Sequence, residues 1–552
     1  VVLGEKRAQQ EPVPEAGGRP VVSPVYPGDA APLDAAEQRT LTIVRRFGIV
    51  GALMLAFGSL GASAAPVINP VLEIPVLRLF ARIPTVSLAL AAIGMFMMVI
   101  AWLWIGRFAK PGRERLATPR QLHRTLVMWC TPLLIIPPLF SRDVYSYLAQ
   151  GEIVRRGMDP YTLGPADALG VADPFTAGVS NMWKDTPAPY GPLFLRVGSW
   201  LSSIVGNEIP TGILVQRALA LVGVALIVWA LPKLATRFGV QPATALWLGA
   251  LNPLVSFHLV AGIHNEALAI GLMLAGLELA LRRLPYRVSG DSPPPLAQGE
   301  LAYLILGAAV ISVAAMVKIH AVVALGFLGV MIARRWHSRI SDLVKAAALM
   351  SGVFAVVTVV ICLGTGLGFG WIGTMGTAGL VRSFISPIAE LANLGGVLGI
   401  ALGLGNHTGA LVTIISLIGY AAAGAITLKF LWDSFKWKYR PIIGLGVSLG
   451  AFMMLHVALQ PWWLLWAVIP LAAAAGTSRF RVAATVVSVA LAFVAFPTGG
   501  TFGGRMFVPV SAYTAAAIVV VIAVLLVRRR APELVPELPR LRRRDKEPEP
   551  SA

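Results

Sequence analysis

From about residue 44 to residue 527 the chain repeats one pattern: an apolar run of close to twenty residues, a short polar break, then another run. A helix needs about 20 apolar residues to cross a hydrocarbon core roughly 30 Å thick, and within that core every backbone N–H and C=O must be satisfied internally. A chain written this way folds as an all-α polytopic membrane bundle. The runs fall near 44–64, 85–106, 123–140, 212–232, 243–260, 266–282, 300–317, 319–333, 343–365, 409–428, 441–459, 462–476, 480–497 and 508–527. That makes about fourteen spans, give or take two, because 300–333 and 455–476 hold short runs that also read as half-helices. Only 13% of the residues are charged, where an ordinary soluble domain carries about 25%.

Charge position then orients the bundle. A formal net charge of +19 would point to nucleic acid in a soluble chain, but here the cations sit in alternate connections. Arg45/Arg46, the run Arg107 to Arg124, Lys233/Arg237, Arg282/Arg283, Arg334/Arg335, Lys436/Lys438/Arg440, Arg479/Arg481 and Arg528 to Arg530 all follow that alternation. The positive-inside rule makes those connections cytoplasmic, with both termini inside and a plasma-membrane location. No interleaved basic and aromatic surface appears, so nucleic acid is excluded as a partner. Cys130 and Cys362 both fall in apolar runs and read as neither disulfide nor metal ligands.

Residues 1–40 and 528–552 are rich in Pro, Ala, Glu and Arg without an apolar period, which reads as two disordered cytoplasmic tails flanking a membrane domain at 41–527. The first tail is too polar and too long for a signal peptide's n-region, so the first span is expected to stay as an anchor. Two long connections, 141–211 and 366–408, lie on the extracytoplasmic side.

The first of these opens with "SRDVYSYLAQGEIVRRGMDPY". The segment predicts a short amphipathic helix lying along the membrane, with Ser141 or Asp143 as N-cap, a stripe of Val144, Tyr147, Leu148 and Val154, and Gly157 as its close. Pro160, Pro165, Pro187, Pro189 and Pro192 stiffen the rest of the loop, so it is built to hold a shape. A carboxylate at a helix start has an ordinary explanation as a cap. Asp143 has company beyond that role: Arg142, Arg155, Arg156 and Lys184 are cations where positive charge is otherwise scarce. Tyr145, Tyr161, Trp183 and Tyr190 add aromatic faces, read either as interfacial anchors or as sugar-binding surfaces. Acid, cations and aromatics together fit a saccharide carried on a phosphate lipid.

Other features share that side. "AGIHNEALAIG" places His264, Asn265 and Glu266 between two spans, with Asn265 as N-cap in the ordinary reading. "AAMVKIHAVV" brings Lys318 and His320 to the ends of two short spans, for phosphate binding or for snorkelling. "LVRSFISP" offers Arg382 as a phosphate clamp or a solvated charge. "LQPWWLLW" brings Gln460, Trp462 and Trp463 to an aromatic belt. No G-x-x-x-x-G-K-[ST] loop, H-E-x-x-H helix or G-x-S-x-G elbow is present, so energy must come with the substrate or from a gradient.

On "SRDVYSYLAQGEIVRRGMDPY", "WKDTPAPYGPLF", "GIHNEALAIGLMLAG" and "VKIHAVV", in that order, the chain resembles the GT-C glycosyltransferases that use polyprenyl-phosphate sugars. Within them it is most similar to the actinobacterial α-1,6-mannopyranosyltransferases of lipomannan synthesis, over roughly residues 44–527. The resemblance implies a GT-C bundle, a polyprenyl-phosphomannose donor, a lipid-linked mannan acceptor, and Asp143 as catalytic base. For that chemistry Lys318, Arg142, His320 and Arg382 are the candidates to hold the donor phosphate, with Lys318 favoured for its place at the membrane surface. The candidates for sugar and acceptor contacts are Tyr145, Tyr161, Trp183, Lys184, Tyr190, His264, Asn265, Glu266 and Trp462. A β-linked donor giving an α-linked product means inversion with one carboxylate. No cofactor is required, and a divalent metal is possible but not demanded. Two features depart from the family: a lone Asp follows Arg142 in place of a paired-acid motif, and it follows the third span rather than the first. The alternatives are a secondary transporter or lipid flippase, which would carry internal repeats and midspan polar groups, and a noncatalytic envelope scaffold.

Overall fold

The structure, a computed structural model, describes residues 30–285, 290, 292–474, 476–499 and 507–530. Most of both expected tails lies outside the described residues. Helix α1 (Ala35–Ser59) nevertheless starts inside the stretch read as tail. The cause is local: the Asp34 carboxylate accepts the Glu37 N–H at 2.9 Å and Glu37 accepts the Asp34 N–H at 3.3 Å, a reciprocal capping box. Ala31–Pro32 pairs in parallel with Arg115–Leu116, the one strand contact among the described residues. Helix α2 (Pro84–Ile105) returns along α1.

The third expected span departs most from its sequence pattern. Helix α3 (Pro119–Cys130) continues as a 3-10 turn only to Leu133, and residues 134–140 are irregular. A polypeptide without regular structure at this depth needs partners for its carbonyls. They come from the buried Arg217 on the next long helix, whose guanidinium donates to the carbonyls of Leu134 and Ile136 at 2.7 Å each and to Val260 at 3.3 Å. The segment ends in a tight turn, with the Ser141 N–H on the Leu139 carbonyl and Phe140 held at φ 67°. That geometry is unusual for a bulky residue and stores strain three residues before Asp143.

Helix α4 (Asp143–Arg155) comes next, closing at Gly157 as its sequence predicts. It does not lie along a membrane surface. Every side chain from Val144 to Val154 is buried, because α4 packs on α5 (Pro192–Val205) and α6 (Ile209–Arg237). The run at 243–260 is a broken span: Pro242–Ala250 and Val255–Ala261 meet at a 58° bend. Asn252 stabilises the break, accepting the Leu254 N–H at 3.0 Å and donating to Ser488 at 2.8 Å, while Pro253 prevents the helix from continuing through it. Parts of both halves are π-helical, a form that recurs beside functional sites.

The rest is helical: α7 (Glu266–Leu281), α8 (Glu300–Ala315), α9 (Val323–Arg335), α10 (Ile340–Thr365), α11 (Pro387–Ala401), α12 (Thr408–Phe435), α13 (Pro441–Met454), α14 (Leu464–Ala472), α15 (Ser478–Ala492) and α16 (Phe507–Arg530). The second long connection is therefore not all loop, since it contains α11. Among the described residues six helices are long and apolar enough to cross a membrane, or seven if the bent pair is one span. Of the others expected as spans, Glu300–Ala315, Pro441–Met454 and Pro461–Ala472 are shorter apolar helices. Breaks at Met316–Val322 and at Pro461 cut the long apolar runs into pieces.

The helix ends rich in Lys and Arg are tied together. Arg237 donates to the carbonyls of Leu281 and Leu284, Arg335 pairs with Glu300 at 2.9 Å, and Arg334 donates to Tyr439 O. Glu266, at the other end of α7, begins a helix of sixteen residues that ends at Leu281, about 24 Å along the helix axis. The site lies at that end.

Candidate active site

Six separate segments converge on one cavity of about 400 Å³. The start of α4 supplies Arg142 and Asp143. The proline-stiffened loop supplies Trp183 and Tyr190. The start of α7 supplies Glu266, the α8–α9 break supplies Lys318 and His320, and the segments around Arg382 and Trp462 complete the wall.

Asp143 does not cap its helix. Arg142 occupies the cap position without a side-chain capping hydrogen bond, and the Asp143 N–H is itself taken by the Ser141 hydroxyl at 3.0 Å. The carboxylate is left to face the cavity, with its side chain 26% exposed. Behind it lies His264, whose Nδ1 is 3.3 Å from Asp143 Oδ2, close enough for an ion pair but out of line for a well-formed hydrogen bond. Ile263, at φ 58°, turns the chain to present that ring. A β-branched residue in the left-handed region is a genuine outlier, so strained backbone precedes both members of the pair, directly at His264 and three residues ahead of Asp143. Burial pushes the Asp143 carboxyl up, but His264, the Ser141 hydroxyl and the Lys318 charge outweigh it and hold the group below the usual carboxylate range.

His264 is fully buried and stacks on Trp462 with ring centroids 3.7 Å apart. It therefore supports Asp143 from beneath and is not placed as a sugar contact. Glu266 is committed too: one carboxylate oxygen accepts from Lys318, from Trp463 Nε1 at 3.0 Å and from Trp462 Nε1 at 3.2 Å. Lys318, with no acidic neighbour in sequence, has one in space. Gly191 allows this crowding, since a Cβ there would come within 2.1 Å of the Met316 carbonyl oxygen. The close approach brings the Tyr190 ring to 5.9 Å from Lys318 Nζ.

The remaining cations differ. Arg142 donates through Nε to Gly178 O at 2.8 Å and lies 4.9 Å from the Tyr145 ring centroid. Arg382 is exposed at the cavity and makes no hydrogen bond or ion pair among the described residues. His320 lines the cavity with Nδ1 unpartnered. Tyr145, Tyr161, Lys184 and Asn265 do not line it. The Tyr145 hydroxyl donates to Ala64 O at 2.6 Å, tying α4 to the α1–α2 connection, and that of Tyr161 donates to Tyr190 O at 3.0 Å, bracing the proline-stiffened loop. Asn265 is buried, and the Lys184 carbonyl holds the Ala166 N–H. Arg155 and Arg156 turn away to Glu152. For Tyr145, Arg155 and Arg156 the physical reason is shared: α4 is buried on nearly all sides, so only one face of it meets the cavity. Sequence reasoning passed over Ser146, Gln150, Thr186 and His456, which line it. The spacing of Asp143, Ser146 and Gln150 at i, i+3 and i+7 was the available signal. Among the described residues no group of three or more His, Cys, Asp or Glu side chains is placed to hold a metal ion.

Comparison with known proteins bears on this geometry. Residues 45–334 match the model of the alpha-(1->6)-mannopyranosyltransferase N-terminal domain, and residues 388–526 match the MptB C-terminal domain. The chain is 43% identical to a probable alpha-(1->6)-mannopyranosyltransferase of Mycolicibacterium smegmatis, with 91% of each chain covered. It is 42% identical to an alpha-(1->6)-mannopyranosyltransferase of Mycobacterium tuberculosis, over 91% of this chain and 90% of that protein. A solved oligosaccharyltransferase of Archaeoglobus fulgidus in the apo form covers 79% of this chain and 58% of that one at 14% identity and a TM-score of 0.34, too remote to carry an argument. Two family models that together span most of the chain place it: the protein belongs to the alpha-(1->6)-mannopyranosyltransferase family.

Proposed function

We propose that this membrane mannosyltransferase takes mannose from polyprenyl-phosphomannose and forms an α-1,6 linkage on a lipid-linked mannan acceptor, by inversion, at the extracytoplasmic face. Membership in a transferase family decides against the transporter and scaffold alternatives. The observation that carries the mechanism is Asp143, a carboxylate relieved of capping, held ionised and facing a cavity rimmed by cations.

In this reaction the acceptor hydroxyl oxygen bonds to the anomeric carbon as the bond from that carbon to the phosphate oxygen breaks. The hydroxyl proton passes to Asp143, and the phosphate leaves on its prenyl chain with the bonding electrons. Arg382, without a polar partner among the described residues, is the group best disposed to hold that phosphate, with His320 and the Lys318–Glu266 pair beside it. An apolar groove of about 440 Å³ between α9, α10 and α12 supports a prenyl donor: its lining begins at Val322, two residues beyond His320. The orientation rests on the alternation of Lys and Arg along the chain.

Membranes containing the protein, supplied with radiolabelled polyprenyl-phosphomannose and a short α-1,6-mannoside, should yield a longer α-1,6-mannoside. Transfer from GDP-mannose alone, with none from the lipid donor, would overturn the donor assignment.

A further inference from the structure

One face of α4 meets the cavity, and it carries more than the base. Asp143, Ser146 and Gln150 succeed one another along that face, and all three line the cavity. The rotation of the helix is fixed by its neighbouring face, where a Cβ on Gly151 would come within 2.7 Å of the Gly198 backbone. Ser146 and Gln150 are only 4% and 3% exposed, yet Ser146 Oγ and Gln150 Oε1 have no hydrogen-bond partner among the described residues. Buried hydroxyl and amide groups are almost always paired. Two such groups in succession, on a helix face that leads into a cavity, describe a wall awaiting a ligand.

The chemistry of that wall names the ligand class. A serine hydroxyl donates and accepts, and an amide oxygen accepts; neither carries charge. Ser180 and Thr186 add hydroxyl groups and Trp183 an aromatic face, all lining the same cavity. Beyond Arg142 at the start of the helix, this face carries no cation to draw an anion; Lys318 and Arg382 come from other segments. An uncharged ligand rich in hydroxyl groups satisfies this set.

We propose that Ser146 and Gln150 form the acceptor-sugar subsite, hydrogen-bonding hydroxyl groups of the mannosyl residue whose attacking hydroxyl faces Asp143. The proposal rests on the assignment of the cavity as the transfer site. It places acceptor recognition on the same rigid helix as the base, so that binding the sugar sets the distance from its hydroxyl to the carboxylate.

The test uses Gln150→Met, which keeps length and removes the amide, and Ser146→Ala, the milder change should the first fold poorly. Each is purified in detergent with its thermal midpoint measured. Titration calorimetry with α-1,6-mannobiose and no donor should show affinity reduced roughly tenfold in each variant. In turnover, the KM for the mannoside should rise by a similar factor while the donor KM stays within about twofold. Wild-type protein should also discriminate against a mannobiose lacking one ring hydroxyl, and one of the two variants should lose that discrimination. Unchanged mannobiose affinity in both variants, or a rise in donor KM instead, would overturn the subsite. Because the calorimetry needs no donor, failure of transfer from the polyprenyl donor leaves it readable: that failure would count against the donor assignment, whereas weakened mannobiose binding would still support the subsite.

Discussion

His264 Nδ1 lies 3.3 Å from Asp143 Oδ2, and the His264 ring is itself pinned flat against Trp462. The arrangement makes His264 a positioning residue. Its contribution helps hold the Asp143 carboxyl below the usual carboxylate range, so the group proposed as base is ionised at neutral pH.

The pH profile is a direct consequence. A base with a depressed pKa loses activity only as pH falls through its lowered value, so the acid limb of kcat/KM should lie below the ordinary Asp pKa of about 3.9. His264→Phe keeps the stacking on Trp462 but removes the ring nitrogens, and should move that limb upward. The same sign applies to stability: Asp143 contributes above its unfolded pKa, and the contribution is lost as pH falls through the folded one. An acid limb that does not move in His264→Phe would make the contact merely structural.

Arg217 should be among the residues least tolerant of change. Its guanidinium serves three carbonyls of non-helical or broken backbone, two of them in the segment that leads to Asp143. Arg217→Leu leaves those buried acceptors unpaired, at a cost of about 1–3 kcal/mol each. The thermal midpoint of purified protein should fall markedly; an unchanged midpoint would mean that other groups satisfy those carbonyls.

Such residues also mark what the sequence could and could not disclose. The apolar runs announced a helical membrane protein, and Asp143, Glu266, Lys318, Arg382 and Trp462 were legible because charge and aromatic groups stand out against an apolar background. Hydropathy carries no information on where a helix stops short, so residues 134–140 read as span although their carbonyls depend on Arg217. Nor does it reveal partners distant in sequence: Lys318 and Glu266 lie 52 positions apart, and only the fold shows that the apparently lone cation is paired. Ser146 and Gln150 looked like ordinary polar residues of a surface helix, which α4 is not.

Lys318 and Arg382 should behave differently when removed. Lys318→Met strips a buried carboxylate of its partner, which costs about 3–5 kcal/mol; the double variant with Glu266→Gln should regain much of the lost stability. Arg382→Ala should leave the thermal midpoint unchanged and raise the donor KM about 10- to 100-fold, as expected for a charge-assisted phosphate contact. A donor KM unaffected by Arg382→Ala would return that residue to a solvated charge.

Orientation can be read chemically. Val171, in the loop between α4 and α5, is 69% exposed, and both native cysteines are buried. Val171→Cys in intact cells should react with an impermeant maleimide against a low background. Reaction only after permeabilisation would place the loop, and the cavity with it, on the cytoplasmic side.

The central claim is that Asp143 takes the acceptor proton, and Asp143→Asn in the mannosyl-transfer assay tests it most directly. Asn preserves size and shape and caps a helix nearly as well as Asp, so a capping role predicts near-normal turnover. A general-base role predicts that kcat falls about 10²- to 10⁴-fold while the folded protein still binds the donor. Loss of turnover on that scale with donor affinity intact is the expected result; transfer by folded, donor-binding Asp143→Asn protein at close to the wild-type rate would contradict it.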